Sequence, residues 1–308
     1  MHESAQTEPI AVPATNGYLL QKDIHTLLLT QNRSSQMFQL IAADLDGTLL
    51  TPDHRLGSRT VSTLDRLNQQ GYQLILASGR HAIEVSALGK ALHIPVFMVT
   101  ANGARIFTPT GELLFRKDLP ASLVQAMISI MVNRPGIVVH LYKDSGWYFN
   151  RYDERLLSCH KDTALPRFAC SSETLPTTFV TKLFFTCPDT RLLAAYGEEL
   201  HNRFPDKTDI TCSFPWSLEI APAGVCKGNA IRHIARHLNL SPKQCIAFGD
   251  GLNDVDMLAT AGKGLVMENA DARLKQRLPE LEVIGSCAEE AVASYLENTL
   301  FKEPLIKP

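Results

Sequence analysis

Three apolar runs in this chain each end directly in a turn of acids, glycines or a small hydroxyl. Gln39–Ala43 leads into Asp44-Leu45-Asp46-Gly47-Thr48, and Gln73–Ala77 leads into Ser78-Gly79-Arg80. Cys245-Ile246-Ala247-Phe248 leads into Gly249-Asp250-Gly251-Leu252-Asn253-Asp254. A short continuous apolar run suits a strand buried on both faces, which is how strands of a helix-covered parallel sheet read. In such sheets ligands bind beyond the carboxyl ends of the strands. Asp44, Ser78 and Asp250 are therefore expected at one edge.

The segments between these runs keep the alternation of strand and helix. Ser58 is expected to cap a helix carrying Val61, Leu64 and Leu67, which Gly71 ends. Val96–Val99 reads as a strand, followed by Thr100-Ala101-Asn102-Gly103 and a hairpin turning at Thr110-Gly111. The rhythm then changes over residues 120–220. That stretch reads as a helix, two strands turning at Asp144-Ser145-Gly146, and a short helix. A strand at Val180–Thr186, another helix and paired strands near 208–213 and 217–220 complete it. Helix 228–239, strand 245–248, helix 254–260 and strand 264–267 resume the parallel pattern. The predicted fold is α/β: a Rossmann-like parallel core from residues 37–119 and 221–303, with an α+β insert at 120–220. An insert that leaves and rejoins the ligand edge is well placed to be a lid. The 308-residue length suits one large domain or two.

Polar residues dominate 1–36, which are expected to form a disordered tail or to precede a start at Met37. A short amphipathic partner-binding helix through Tyr18, Leu20, Ile24, Leu27 and Leu28 is the alternative. Lys302–Pro308 reads as a frayed end.

The formal net charge of -2 gives no global attraction to nucleic acid or to an anionic membrane. Seven scattered cysteines without a C-x-x-C pair fit buried fillers in a reducing compartment, so a cytoplasmic location is expected. No run of about 18 apolar residues occurs, and none is expected to span a membrane. The chain is expected to be a monomer or a small homo-oligomer.

Asp44-x-Asp46 opens like an EF-hand, but the loop positions that need glycine and glutamate hold Leu49 and Arg55. Two close carboxylates repel unless a cation or proton sits between them, and hard oxygen ligands suit Mg²⁺. With a metal neutralising a phosphate, Asp44 can attack phosphorus while Asp46 protonates the leaving oxygen and later deprotonates water. Ser78-Gly79 offers a hydroxyl and N–H groups at a strand-to-helix turn, and Arg80 suits either a phosphate or an acid. No Walker-A loop is present, so Lys227, at the head of a helix, draws interest only from its place among the other islands. Were a helix to begin after Phe248, Asp250 and Asp254 would share a face. Asp250 could then bind metal, Asn253 donate to phosphate and Asp254 hold Lys227; a plain helix cap at Asp250 is the alternative.

In order and spacing, these islands resemble the motifs of the haloacid dehalogenase superfamily of aspartate-nucleophile phosphatases. Ala43-Asp44-Leu45-Asp46-Gly47-Thr48-Leu49-Leu50, Thr100-Ala101-Asn102-Gly103-Ala104 and Ala247-Phe248-Gly249-Asp250-Gly251-Leu252-Asn253-Asp254 fit its Cof-type branch, whose α/β cap the insert resembles. The similarity runs from Met37 to about Leu300 and is nearest to enterobacterial phosphatases acting on pyridoxal phosphate. It implies Asp44 as nucleophile and Asp46 as acid/base. It implies Mg²⁺ on the Asp44 and Asp250 carboxylates and the Asp46 carbonyl. Phosphate would meet Leu45, Ser78, Gly79, Lys227 and Asn253, with Thr48, Arg80, Asn102 and Asp254 in support. Gly251 departs from relatives that carry an acid or Ser there, so an outer-sphere metal contact is lost.

The expected activity is Mg²⁺-dependent hydrolysis of small phosphomonoesters, favouring pyridoxal 5′-phosphate. A sugar-phosphate phosphatase, a phosphomutase and a non-catalytic phospho-ligand sensor are the alternatives. His140, Tyr142, Trp147 and Trp216 are candidates for stacking on a flat leaving group, against the ordinary fate of strand aromatics as core.

Overall fold

The computed structural model describes residues 37–159 and 163–301. The tail expected over 1–36 and the frayed end at 302–308 lie outside these residues. The first part of the chain supplies strands β1 (Leu40–Ala43), β2 (Gln73–Ala77), β3 (Val96–Thr100), β4 (Arg105–Phe107) and β5 (Leu113–Arg116). The middle supplies β6 (Val138–Lys143), β7 (Gly146–Phe149), β8 (Arg167–Ala169), β9 (Lys182–Thr186), β10 (Thr208–Phe214) and β11 (Ser217–Pro222). The last part supplies β12 (Cys245–Gly249), β13 (Lys263–Met267) and β14 (Glu282–Ile284).

The first and last parts join into one eight-stranded sheet, ordered β14-β13-β12-β1-β2-β3-β4-β5. It is parallel from β14 to β3 and antiparallel through β4 and β5. All four residues of β1 are buried, as a central strand covered on both faces requires. Helices α1 (Ser58–Gln69), α2 (Ala82–Ala91), α3 (Ala121–Met131), α4 (Glu154–Cys159) and α5 (Thr190–Arg203) follow in chain order. They are succeeded by α6 (Lys227–His237), α7 (Val255–Thr260), α8 (Ala272–Arg277) and α9 (Ala291–Leu300). The α/β class expected from the sequence is found. One local expectation is corrected: Ser58 is the first residue of α1 and its side chain caps nothing, the N-cap being Gly57. The orphan N–H of Thr60 instead donates to Glu290 Oε2 at 2.7 Å, from the turn before α9.

The middle strands form a separate six-stranded sheet, ordered β10-β11-β9-β6-β7-β8. Val124, Met127 and Met131 of α3 share an apolar cluster with Leu193 and Leu200 of α5 and with Val139, Leu183 and Phe185 of the sheet. Tyr142, Trp147, Phe149 and Phe184 form a second, aromatic cluster. The alternation of side chains along β6 and β9 divides these residues between the two clusters. β9 is shorter than expected and begins at Lys182, while Val180 pairs with Leu119 in an isolated bridge. β8 was not foreseen, because Phe168 and Ala169 are exposed and leave no apolar pattern. Buried Arg105 of β4 holds the β6–β7 turn to the first sheet: its Nε donates to Asp144 Oδ1 at 2.9 Å, and its Nη2 pairs with Asp118. From the N-cap of α2, His81 Nε2 lies 2.7 Å from the Lys143 carbonyl oxygen.

Candidate active site

The parallel register decides where the sequence islands meet. Ala43 lies opposite Phe248 on one side and Leu76 on the other, so the turns after β1, β2 and β12 leave the sheet side by side. The Asp44 N–H donates to the Phe248 carbonyl at 3.1 Å. Beyond it the chain closes a tight turn, with Leu49 N–H on the Asp44 carbonyl and Leu50 N–H on that of Leu45. Gly47 is required there twice over. Its φ is +77°, and a Cβ on it would stand 2.2 Å from Asp250 Oδ2. Thr48 Oγ1 donates to Asp250 Oδ1 at 2.7 Å, and Asn269 Nδ2 donates to the Gly47 carbonyl at 2.7 Å.

Lys227 opens α6 and is wholly buried. Its Nζ stands 2.7 Å from Asp44 Oδ1 and 2.7 Å from Asp254 Oδ1. Asp254 Oδ2 accepts the N–H groups of Asp250 and Gly251 at 3.0 and 2.9 Å. Asp254 thus folds back to satisfy the turn, and the alternative reading of Asp250 as the cap is not adopted. Asp44, Asp250 and Asp254 each offer an oxygen within 4.8 Å of the others. One ammonium among three carboxylates leaves excess negative charge. Burial and the Asp254 charge push the Asp44 carboxyl well above its ordinary value, against the pull of Lys227. Burial and Asp254 also push Asp250 up, to about 7. Burial opposes the Lys227 charge, yet Asp254 and Asp44 hold its ammonium above the usual lysine value.

The second turn is fixed by its neighbours. Ser78 N–H donates to the Val99 carbonyl, Asn102 N–H to the Ser78 carbonyl, and Arg80 N–H to Ser78 Oγ at 3.1 Å. Arg80 takes the acid rather than standing free for a phosphate: its Nε lies 2.6 Å from Asp46 Oδ2 and its Nη2 2.5 Å from Asp46 Oδ1. His54 Nδ1 lies 2.8 Å from that same Oδ1. Burial pushes Asp46 up, but the His54 and Arg80 hydrogen bonds outweigh it and hold the carboxyl well below the usual range. Asn253 Nδ2 donates to Asn102 Oδ1 at 3.1 Å. Asp44, Asp46, Ser78, Gly79, Asp250 and Asn253 line one cavity of about 270 Å³, with Lys227 and Asp254 buried beside it. Leu45 is buried at the start of the first turn.

A family model for haloacid dehalogenase-like hydrolases matches residues 41–296. The chain belongs to that family. This hydrolase is 38% identical over 264 residues to an HMP-PP phosphatase of Cronobacter sakazakii, covering 86% of this chain and 96% of that one. It is 37% identical over the same length to an HMP-PP phosphatase of Yersinia enterocolitica, with equal coverage. In three dimensions it is similar to a haloacid dehalogenase-like hydrolase of Bacteroides thetaiotaomicron. The TM-score is 0.73 at 26% identity, over 85% of this chain and 99% of that one. Neither relative carries pyridoxal phosphate in its name.

The donor set of the hydrolase fits a hard divalent cation. Lys227 and two backbone N–H groups occupy Asp254, which leaves Asp44 and Asp250 to present oxygen to a metal. Burial and the neighbouring Asp254 charge raise Asp250 to about 7, and a divalent cation between these acids could relieve the same excess of negative charge. Several cavity residues escaped the sequence reading. His54 sits in the polar Thr51-Pro52-Asp53-His54 loop and carries no pattern signal. Phe184, Phe214, Lys182 and Glu219 also line the cavity. Lys182 and Glu219 did carry a signal, as single charges inside otherwise apolar strands. Of the four stacking candidates, Tyr142 lines the cavity, while His140 and Trp147 are buried and hydrogen-bonded to each other at 3.3 Å. Trp216 stacks against Phe214, ring centroids 4.9 Å apart.

Proposed function

We propose that this hydrolase is a Mg²⁺-dependent phosphatase that carries the phosphoryl group on Asp44. Its substrates in this reading are small phosphorylated metabolites with a flat ring. The observation that carries the reading is the convergence of Asp44, Ser78, Lys227 and Asp250, from four separate segments, around one cavity.

The Ser78 hydroxyl, the N–H groups of Leu45 and Gly79 and the Asn253 amide donate to the phosphate oxygens. Lys227 holds one Asp44 oxygen, and the other attacks phosphorus. The bond from phosphorus to the leaving oxygen breaks, and that oxygen takes a proton from Asp46. Water then attacks the same phosphorus and gives its proton to Asp46. The Asp44 oxygen–phosphorus bond breaks and phosphate leaves. Asp44, Asp250 and the Asp46 carbonyl would hold Mg²⁺, which would supply positive charge against the phosphate oxygens. For the protonating step Asp46 must leave the Arg80 fork, which favours its ionised form. The fork returns Asp46 to its ionised form before the second step, in which Asp46 must again release Arg80 to take the proton from water.

The relatives named for HMP-PP support that compound as substrate, and the sequence resemblance supports pyridoxal 5′-phosphate. The aromatic side of the cavity, Tyr142, Phe184 and Phe214, suits a flat ring in either. Purified protein assayed on HMP-PP, pyridoxal 5′-phosphate and a hexose phosphate should release phosphate only with Mg²⁺, and not at all as Asp44→Asn. The ring-bearing esters should lead in kcat/KM by about tenfold. Turnover without metal or in Asp44→Asn overturns the mechanism, and a preference for the hexose phosphate overturns the substrate class.

A further inference from the structure

Two charged side chains of the second sheet stand directly against the phosphate turns of the first. Lys182 Nζ, from β9, donates to the Gly79 carbonyl at 2.8 Å and lies 3.1 Å from Glu219 Oε1 of β11. Lys182 and Glu219 are only 3% and 5% exposed, in strands whose other residues are buried too. Glu219 Oε2 accepts from Asn102 Nδ2 at 2.7 Å, and Asn102 Oδ1 accepts from Asn253 Nδ2 at 3.1 Å. A buried ion pair is seldom more stabilising than apolar residues of the same volume, so stability gives little reason for this one.

The polarity of every group along these contacts is dictated from the ion pair. A carboxylate has only acceptors to offer, so Glu219 obliges Asn102 to turn its amide nitrogen inward. Asn102 Oδ1 then faces Asn253 and selects that residue's amide nitrogen, whose second N–H remains for an oxyanion in the cavity Asn253 lines. Along the other arm, Lys182 has only donors and fixes the Gly79 carbonyl. The Gly79–Arg80 peptide is planar, so this also sets the direction of the Arg80 N–H, which donates to Ser78 Oγ. Ser78 accepts there and keeps its own proton for an anion.

We propose that Lys182 and Glu219 are positioning residues that set the donor polarity of Ser78 and Asn253. Phosphate then binds tightly only while the second sheet stands over the site. This rests on the phosphate-binding reading of Ser78 and Asn253 given above.

Inorganic phosphate titrated calorimetrically into the full chain with Mg²⁺ tests it, with thermal unfolding as the check on folding. In Glu219→Gln, an amide that keeps its oxygen on Lys182 turns its nitrogen toward Asn102. Both asparagine amides then reverse, and Asn253 Oδ1 meets the phosphate oxygen. Phosphate should bind about tenfold more weakly. Asn102→Ala cuts the same arm while leaving both Lys182 and Glu219 in place, though it takes one hydrogen bond from Glu219, and should weaken binding to a similar extent. In an Asn253→Ala background, Glu219→Gln should add less than about a twofold further loss, since both act through one contact. Lys182→Met should weaken binding and Lys182→Arg restore it. Native phosphate affinity in folded Glu219→Gln or in Asn102→Ala overturns the proposal, as do losses that multiply in the double variant. A native chain that neither binds phosphate nor turns over any ester overturns the phosphatase reading and this inference together.

Discussion

Arg80 grips Asp46 with two nitrogens, Nε at 2.6 Å from Oδ2 and Nη2 at 2.5 Å from Oδ1. A bidentate guanidinium–carboxylate pair fixes orientation as well as charge. It places the acid/base carboxylate of the proposed reaction under the control of a residue from a different strand end. Removing the fork should let the Asp46 carboxyl rise toward its ordinary range. Arg80→Ala is expected to move the acid limb of kcat upward by about one pH unit or more, and Arg80→Lys by less. A pH–rate profile checks this, and an unmoved acid limb would show that Arg80 does not set the protonation of Asp46.

Lys227 supplies the counter-charge for two carboxylates while having no exposed surface of its own. Lys227→Met keeps the length and removes the ammonium, leaving Asp44 and Asp254 buried against each other. The loss of one partner from a buried ion pair costs about 3–5 kcal/mol, and loss of a charge beside the reacting group about a hundredfold or more in kcat. Urea unfolding near neutral pH and steady-state kinetics measure the two effects separately. A variant as stable as the native chain would mean that solvent or a neighbouring proton already neutralises those acids.

The sheet edge was legible because β1, β2 and β12 are uninterrupted apolar runs that stop at the turns lining the cavity. Strand burial and strand ends are local properties, and a one-dimensional pattern carries them. The worth of Lys227 is not local. It depends on carboxylates 183 and 27 positions away, and in sequence it is one lysine at the head of an amphipathic helix. The aromatics illustrate the same limit. Alternation along β6 puts His140 and Tyr142 on one face, and both pack on Phe184, centroids 4.8 and 5.1 Å away; only the cavity wall, which takes Tyr142, separates them. β8 was missed because it has no buried side to write a pattern.

Asp250 links stability, acidity and metal. Burial and Asp254 push it up to about 7, while in the unfolded chain it titrates near 3.8. Between those values the folded chain holds a proton the unfolded chain has lost. The contribution is therefore greatest below about 3.8 and is lost as pH rises toward about 7. Mg²⁺ would take the place of that proton. Its stabilisation should thus be large near pH 8 and small near pH 5, about where the proton competes successfully. Thermal unfolding with and without Mg²⁺ at the two pH values is the measurement. Asp250→Asn should raise the melting temperature of metal-free protein at the higher pH and abolish the response to Mg²⁺. An equal metal effect at both pH values would exclude Asp250 as the coupled group.

Phe214 is half-buried at the cavity wall and lies flat on Trp216, with 1° between the ring planes. Arg155 covers Trp216 in turn, its guanidinium carbon 4.7 Å from a ring centroid. A ring backed in this way can offer a flat apolar surface at little entropic cost. Because Phe214 is only half-buried, Phe214→Leu should disturb the fold little while removing that surface. For HMP-PP and pyridoxal 5′-phosphate, KM should rise about three- to tenfold, the worth of one aromatic stacking contact, with kcat nearly unchanged. For a hexose phosphate, which has no flat face to lose, KM should stay as it was. If KM rises equally for both kinds of ester, Phe214 shapes the cavity without reading the leaving group, and substrate choice must rest on Tyr142 and Phe184.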